Sequence, residues 1–513
     1  MKKFKSYLKW FFGISLILLL TLIALAWWYI RSEENQLSGA NTSIVDASQF
    51  KTQFGKLAIK NINVLAADQD SILPNQTILI NNELIEYVGE DNNIPHNYTI
   101  IDGEGKFLIP GLIDTHIHPY RSKNDLLLFL ANGVTQVATM SSWRGLYLEW
   151  REEAKRGGLM PRMYVAAGPM NTANDFRSKV YGLLGPIPLF NDTAKTKKKV
   201  AEFKSLGYDG LKAYSLDKEN YYAVSEASKK YNIPMTGHLT PAVGLEDLFR
   251  SNQSQVAHVE EIAKAVEREF GGRSKIFYDN TEAYLSFLKN NADSIARRIK
   301  DKNITISTTV NVYPRAKQQD LDLITYLKSI EIEYVNPGIL EGSVFNPGWL
   351  PGSNRYEVAF NTDPEGVKNA EIYWSTYIEA VNIMTLALVR NGVTITAGTD
   401  AGNAGIVPGF SIHDELQHLS DIGIDNKYVL DAATKMAADW IGSNTGVIQG
   451  GKAADLVILN DNPLQDIRNT RNIYAVIVGG KYLDRNQLDE MLESVRYANN
   501  QSRKISIDSY LSK

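Results

Sequence analysis

The stretch Phe107 to Tyr120, FLIPGLIDTHIHPY, constrains this chain more than any other. Its apolar residues and the Pro110-Gly111 turn deliver a short strand that ends in His116 and His118. Side chains two positions apart on a strand project from the same face, so the two imidazoles leave together, as ligands of one metal ion must. If that strand opens a closed (β/α)8 barrel, its C-terminal end enters the mouth where such barrels do their chemistry. The rest of the chain then has to supply seven further strands and further ligands.

It supplies both. A chain of 513 residues accommodates a barrel of about 250 residues or more plus a second unit. After Leu112 to His118, strand-like runs recur at 133–140, 163–168, 210–215, 234–238, 255–259, 305–310 and 394–400, which completes the eight a closed parallel barrel requires. Helical patterns such as Tyr221 to Tyr231 and Ala370 to Arg390 separate most of them, as βα alternation demands. The long seventh connection, 311–369, carries NPGWLPGSNRY and reads as a loop over the mouth. His413 to Gly442 reads as two helices, the second opened by Asp425 and Asn426. Short β-like runs before the barrel, LAIKNINVL, QTILI and ELIEYVG, share their character with Ala454 to Leu459 and Tyr474 to Val478 after it. The expected fold is therefore α/β: a barrel over 109–445, a composite β-sandwich of 55–108 and 446–485 across its base, and a C-terminal helix and tail over 486–513.

The N-terminus adds a different element. Lys2, Lys3, Lys5 and Lys9 precede an uncharged run from Trp10 to Ile30, long enough at about 1.5 Å per residue to cross a hydrocarbon core of about 30 Å. Leading lysines place the N-terminus in the cytoplasm, so residues 1–30 are expected to form a membrane anchor that leaves the catalytic body periplasmic or at the cell surface. Ala24-Leu25-Ala26 also fits a cleavage site, and a removed signal peptide would export the body equally. Polar residues 31–54 read as a tether. A formal charge of −4 points away from nucleic acid, and homo-oligomerisation stays open. The chain contains no cysteine, which excludes disulfides and thiolate metal sites and leaves His and oxygen ligands.

Those ligand types gather at strand ends. Besides His116 and His118 on the first strand, Lys212 ends the fourth, His238 the fifth, His258 the sixth and Asp400 the eighth. Four of the chain's seven histidines fall in this set, so a metal site is expected here. Tyr214, two residues after Lys212, shares its face and is placed to hydrogen-bond an oxyanion. His413 and Glu415 follow strand eight, where side chains could reach the mouth. Arg144, just after strand two, is a candidate partner for a substrate carboxylate.

From Leu57 to Arg485 the chain resembles the amidohydrolase superfamily, in particular its imidazolonepropionase-like and prolidase-like branch, the metal-dependent dipeptidases. The matching segments are IPGLIDTHIH, GYDGLKAYS, IPMTGHLTPAVGLEDL, QVAHVEEI, GVTITAGTDAGNAGIVPGFSIHDEL and GKAADLVILNDNPLQDI. The resemblance implies a binuclear centre in which His116, His118 and Asp400 bind the more buried metal and His238 and His258 the other. Lys212, carboxylated by carbon dioxide to a carbamate, would bridge the two ions, for which zinc is the expected metal. A protonated ammonium cannot ligate a cation, and burial beside cations removes the proton that carbamate formation requires. Were Lys212 instead an ordinary salt-bridged lysine, the site would be mononuclear. A cation pair acidifies a shared water toward neutrality, and Asp400 is placed as general base and then acid. The resulting expectation is hydrolysis of a carbon-nitrogen bond in a small amide or dipeptide. Alternatives on the same site are a cyclic amide, imidazolone or lactone hydrolase or a deaminase, and, from another class, a surface binding protein without catalysis. At the end of strand two the chain lacks the Arg-Asp pair of some relatives, so their specificity does not transfer.

Overall fold

The computed structural model describes all residues except 1, 69, 91–92, 143–144, 174–188, 273–279, 345, 358–363 and 512–513. The first strands, β1 (Lys56–Leu65), β2 (Ile72–Asn81), β3 (Leu84–Gly89), β4 (Thr99–Asp102) and β5 (Phe107–Pro110), are rich in Ile, Leu and Val, residues that suit a pleated, half-buried surface. A parallel series follows: β6 (Leu112–Ile117), β7 (Val134–Ser142), β8 (Arg162–Asn171), β9 (Gly210–Ser215) and β10 (Met235–Gly237). A second parallel sheet holds β11 (Gln255–Ala257), β12 (Thr305–Ser307) and β13 (Ile395–Thr396).

Backbone hydrogen bonds join the two parallel sheets at both edges. At one seam Ser254 N donates to Met235 O at 2.9 Å. At the other, Thr115 N donates to Ala397 O at 2.9 Å and His118 N to Ala401 O at 2.7 Å. The result is a barrel-like ring of eight parallel strands, matching in order the runs expected from the sequence. Every residue of β6 is buried, as befits a strand packed on both faces. In the interior, the hydroxyls of Thr115, Ser307 and Thr396 form a small hydrogen-bonded layer, at 3.1 and 3.0 Å.

Three late strands, β14 (Leu456–Leu459), β15 (Ile473–Val478) and β16 (Lys481–Asp484), return to the first unit, with β14 antiparallel to β5. This makes one continuous eight-stranded sheet whose two segments share a core, with Ile59, Ile78 and Ile80 packed in the same cluster as Leu456, Ile458 and Ile477. It lies across the N-terminal ends of the ring strands. Gly111 N donates to Asp455 O at 2.8 Å, and Arg162, which opens β8, pairs with Asp455 at 2.5 Å.

Three local readings change. The span from His413 to Gly442 contains three helices, Ser411–Asp421, Asn426–Ala432 and Lys435–Ile441, because the carbonyls of Ala432 and Ala433 accept from Ala397 N and Ile113 N instead of continuing a helix. The seventh connection carries helices over Val312–Ser329 and Pro337–Glu341, and among its described residues the stretch from Gly342 to Glu357 is irregular. The stretch read as a tether is bound: helix α1 (Lys2–Leu37) runs beyond the apolar segment, and the chain after it docks on the body. Asn124 secures it there, accepting from Val45 N and donating to Ser43 O, both at 2.9 Å. A second long apolar helix, Pro364–Arg390, is more than half buried and belongs to the body's core.

The shared core of the base sheet is directly testable. Leu456→Ala should cost about 2–5 kcal/mol, the range for a fully buried leucine, lowering the urea midpoint. Ile100→Ala on the outer face of β4, where the side chain is 55% exposed, should leave the midpoint nearly unchanged.

Candidate metal centre

Six side chains from five strands converge at the C-terminal end of the ring. His116 is fully buried and His118 half-buried, with Asp400 Oδ1 3.0 Å from His118 Nε2 and 3.4 Å from His116 Nε2. Lys212 Nζ lies 2.9 Å from His116 Nε2. The ring of His258 stacks at a tilt 4.5 Å from that of His116, and His238 is 4.8 Å from His258. Ligand atoms of His116, His258 and Asp400 all fall within 4.8 Å of one another. The backbone permits this crowding through glycine: a Cβ on Gly398 would stand 2.8 Å from the His116 Cβ and 2.3 Å from the Ser307 hydroxyl.

Neighbouring groups aim each ligand. His238 Nδ1 donates to the buried Glu261 carboxylate at 3.0 Å, which leaves Nε2 free to face the centre. His258 Nδ1 lies 2.7 Å from the Thr309 hydroxyl. Thr309 is itself fixed by Glu415, whose carboxylate accepts from Val310 N and Asn311 N at 2.9 Å and from the Thr308 hydroxyl. Asp114 ties the first strand to the eighth, accepting from His116 N at 3.1 Å and from the Thr399 hydroxyl at 2.6 Å. Several of these residues sit at positive φ, namely His258 at 78°, Thr309 at 48° and Asp400 at 64°. Such backbone strain in non-glycine residues concentrates at functional sites.

Electrostatics favour an electron-pair donor set. Burial holds His116 and His258 well below the ordinary imidazole value and lowers His238, so all three are neutral at neutral pH. Asp400 stays ionised: burial opposes its charge, but the His118 hydrogen bond and the nearby His258, His118 and His116 rings outweigh it. Its buried Oδ1 faces the ring nitrogens of His118 and His116, at 3.0 and 3.4 Å. A carboxylate and neutral imidazoles that converge in this way offer the oxygen and nitrogen donors a divalent cation takes, so the residues fit a divalent metal. Lys212 is 1% exposed, burial lowers its amine to about 8, and among the described residues no carboxylate is within ion-pair distance of it.

The weaker sequence candidates divide. Tyr214 is at the rim, its ring edge-on to His238 at 4.5 Å, and partial burial with the Asp400 charge keeps its phenol protonated. His413 does not reach the mouth: its ring nitrogens bind the Thr470 hydroxyl at 2.9 Å and Asn132 O at 3.1 Å, because the helix Ser411–Asp421 turns that face toward the helix end before β7. Glu415 is likewise spent on the loop after β12. Arg144 lies outside the described residues. Sequence reasoning passed over Arg355, an exposed cation whose charge acts on the phenols of Tyr120, Tyr214 and Tyr356. Its signal was its place in the NPGWLPGSNRY segment.

Residues 107–483, most of the chain, match the model of the Amidohydrolase family. The chain belongs to the amidohydrolase family. Relatives include a 5'-deoxyadenosine deaminase of Methanosphaera stadtmanae, 21% identical over 75% of this chain and 81% of that one. Another 5'-deoxyadenosine deaminase, from Methanocaldococcus jannaschii, is 24% identical over 49% of this chain, and the match spans 62% of its length. Among solved structures, bottromycin amidohydrolase aligns with a TM-score of 0.66 at 18% identity, covering 91% of this chain and 96% of that one. An Xaa-Pro dipeptidase with bound methionine in its active site aligns with a TM-score of 0.58 at 17% identity, covering 84% and 99%. These likenesses show the fold, and with the family they place the chain among metal-dependent amidohydrolases, hydrolytic enzymes acting on carbon-nitrogen bonds.

Two outcomes follow from the aiming of the ligands. Glu261→Gln should weaken zinc about 10–100-fold in competition with a chromophoric chelator, the usual cost of losing a ligand-orienting carboxylate. Because burial holds His116, His238 and His258 below the ordinary value of 6.5, these three rings should stay predominantly neutral down to pH 6.5, as an NMR titration of their ring protons in the metal-free protein would show.

Proposed function

We propose that this amidohydrolase cleaves the amide bond of a small dipeptide-like substrate at a two-cation centre, with zinc as the metal. The observation that carries the reading is the buried Lys212, which lies against His116 in the cluster of four histidines and Asp400 and, among the described residues, makes no direct ion pair. Burial favours the neutral amine, the form that would add carbon dioxide with release of a proton, and the resulting carbamate would replace a buried cation with an anion able to hold the metal pair. His116, His118 and Asp400 would hold one ion and His238 and His258 the other. A divalent cation pair bound there supplies an acidified water and polarises a carbonyl.

The chain's own residues do the rest. Asp400, ionised at neutral pH, takes up the proton of the attacking water and returns it to the leaving nitrogen. Tyr214, still protonated, donates to the developing oxyanion from the rim. Arg355 is positioned to pair with a terminal carboxylate, the group a dipeptide presents beyond its scissile bond. The deaminase relatives support a second reading, hydrolytic release of ammonia from a 5'-deoxyadenosine-like ring, by the same proton transfers at Asp400. On either reading α1 spans the membrane once, with its lysines on the cytoplasmic side, and its exposed apolar run from Trp10 to Ile30 supports this.

A panel of dipeptides and 5'-deoxyadenosine, assayed with and without chelator, separates these readings. Dipeptide turnover that is lost with chelator and restored by zinc is the expected result; release of ammonia from the nucleoside alone selects the deaminase. Asp400→Asn should reduce kcat by at least about 10²-fold, the lower range for a general base, with an unchanged circular dichroism spectrum. Arg355→Ala should raise KM for a dipeptide while leaving its kcat and the turnover of an uncharged amide in place.

A further inference from the structure

The path of the chain out of α1 orients the body. Asn35 is six positions beyond Tyr29, the last aromatic of the Trp27-Trp28-Tyr29 cluster, which is about 9 Å along a helix at about 1.5 Å per residue. At Asn35 the helix is already bound to the body. Arg121 Nη1 donates to Asn35 Oδ1 at 2.7 Å, and Arg121 N donates to Ser38 O at 2.8 Å. Arg121 is three residues beyond His118, on the loop at the mouth end of β6. Gln36 donates to Glu341 at 3.3 Å, Val344 N donates to Glu33 at 3.2 Å, and Asn336 Nδ2 donates to Gly39 O at 3.2 Å. These partners belong to the connection after β12, which also leaves the ring on the mouth side. The chain then descends past Asn124, at the start of helix α2 (Asp125–Ala131), and reaches the base sheet at Gln53, whose backbone pairs with Tyr482 in β16.

The rim bound to α1 also exposes what a lipid surface takes. Val344 is 70% exposed and Ile505 47% exposed, and both are tied by their backbones to the residues that hold the helix end. Two cations bind the same helix end, Arg121 at Asn35 and Lys504 at Gln36, where its Nζ donates to Oε1 at 3.0 Å. Apolar side chains with adjacent basic groups suit the headgroup layer of a bilayer.

We infer that the body is held mouth-side toward the membrane, with the rim of Val344, Ile505, Arg121 and Lys504 in the headgroup layer of the bilayer that α1 crosses and the base sheet pointing away. Substrate then enters from the membrane surface. This rests on the reading of α1 as a spanning helix, and the test separates the two. Because the natural chain has no cysteine, single variants Val344→Cys, Ile505→Cys and Ile100→Cys of the full chain each accept one fluorophore. Labelled protein is reconstituted into phosphatidylcholine–phosphatidylglycerol vesicles, floated on a density gradient, and exposed to lipids carrying a headgroup nitroxide. The expected result is flotation of all three, with quenching at 344 and 505 at least about threefold greater than at 100. Flotation with equal quenching at the three sites, or with greater quenching at 100, overturns the orientation and leaves the anchor standing. Failure of the full chain to float overturns the anchor, and the orientation with it.

Discussion

The hinge of this molecule is the seam where the first strand of the ring meets the last. Asp400 N donates to His116 O at 2.8 Å, so two of the side chains most important to the site are set by one backbone hydrogen bond between residues 284 positions apart. Without closure of that seam, His116 and His118 are a pair of histidines on an edge strand, and Asp400 ends another strand far from them. Asp114 reinforces the closure from within by binding Thr399. Its carboxyl is pushed up to about 7 by burial, which its three donors partly offset. Such a group is stable only when every donor is present.

Closure has a backbone cost that the surrounding structure absorbs. His258, Thr309 and Asp400 sit at left-handed φ values, where a non-glycine residue is disfavoured by about 1–3 kcal/mol. All three are buried and tied by hydrogen bonds to neighbours that have no freedom of their own. The hydroxyl of Thr309 is where the strain is useful, because it faces the His258 ring and fixes the direction of its other nitrogen. Glu415, far from the mouth in sequence terms and without a role in chemistry, is the anchor of that arrangement.

Much of this was legible in the residues, and for identifiable reasons. The eight strand runs stand out because ring strands are buried on both faces and read as short apolar or small-residue stretches, as in LIDTHI and GLKAYS. A single histidine at the end of such a run is more often a core residue, and it is four of the chain's seven histidines at strand ends that mark the site. What escaped depends on tertiary partners. Nothing local in SIHDEL says that His413 finds Thr470 and Asn132; its side of the helix is decided by packing against residues before β7 and after β14. The break at Ala433 is equally silent, since the acceptors that end the helix are claimed by backbone donors of Ile113 and Ala397. Residues 31–54 look like a tether because they are polar, yet polar groups such as the Asn124 side chain are what bind an irregular strap.

Lys212 brings these strands of argument to one point. An isolated buried ammonium is costly, and the usual remedy is a carboxylate partner at hydrogen-bond distance. Here the amine's near neighbour is instead the imidazole of His116, held neutral by burial, which does not neutralise an ammonium and keeps a lone pair for a bound cation. Glu261, the carboxylate that might have filled the partner's role, is turned to His238. The proposed carbamate resolves the mismatch: it converts a disfavoured cation into an anion that two divalent ions stabilise, and the same ions are what the converging lone pairs of four histidines and Asp400 call for. That no carboxylate stands at ion-pair distance from this amine, among the described residues, supports the proposed bridging role over that of a lysine held in a salt bridge.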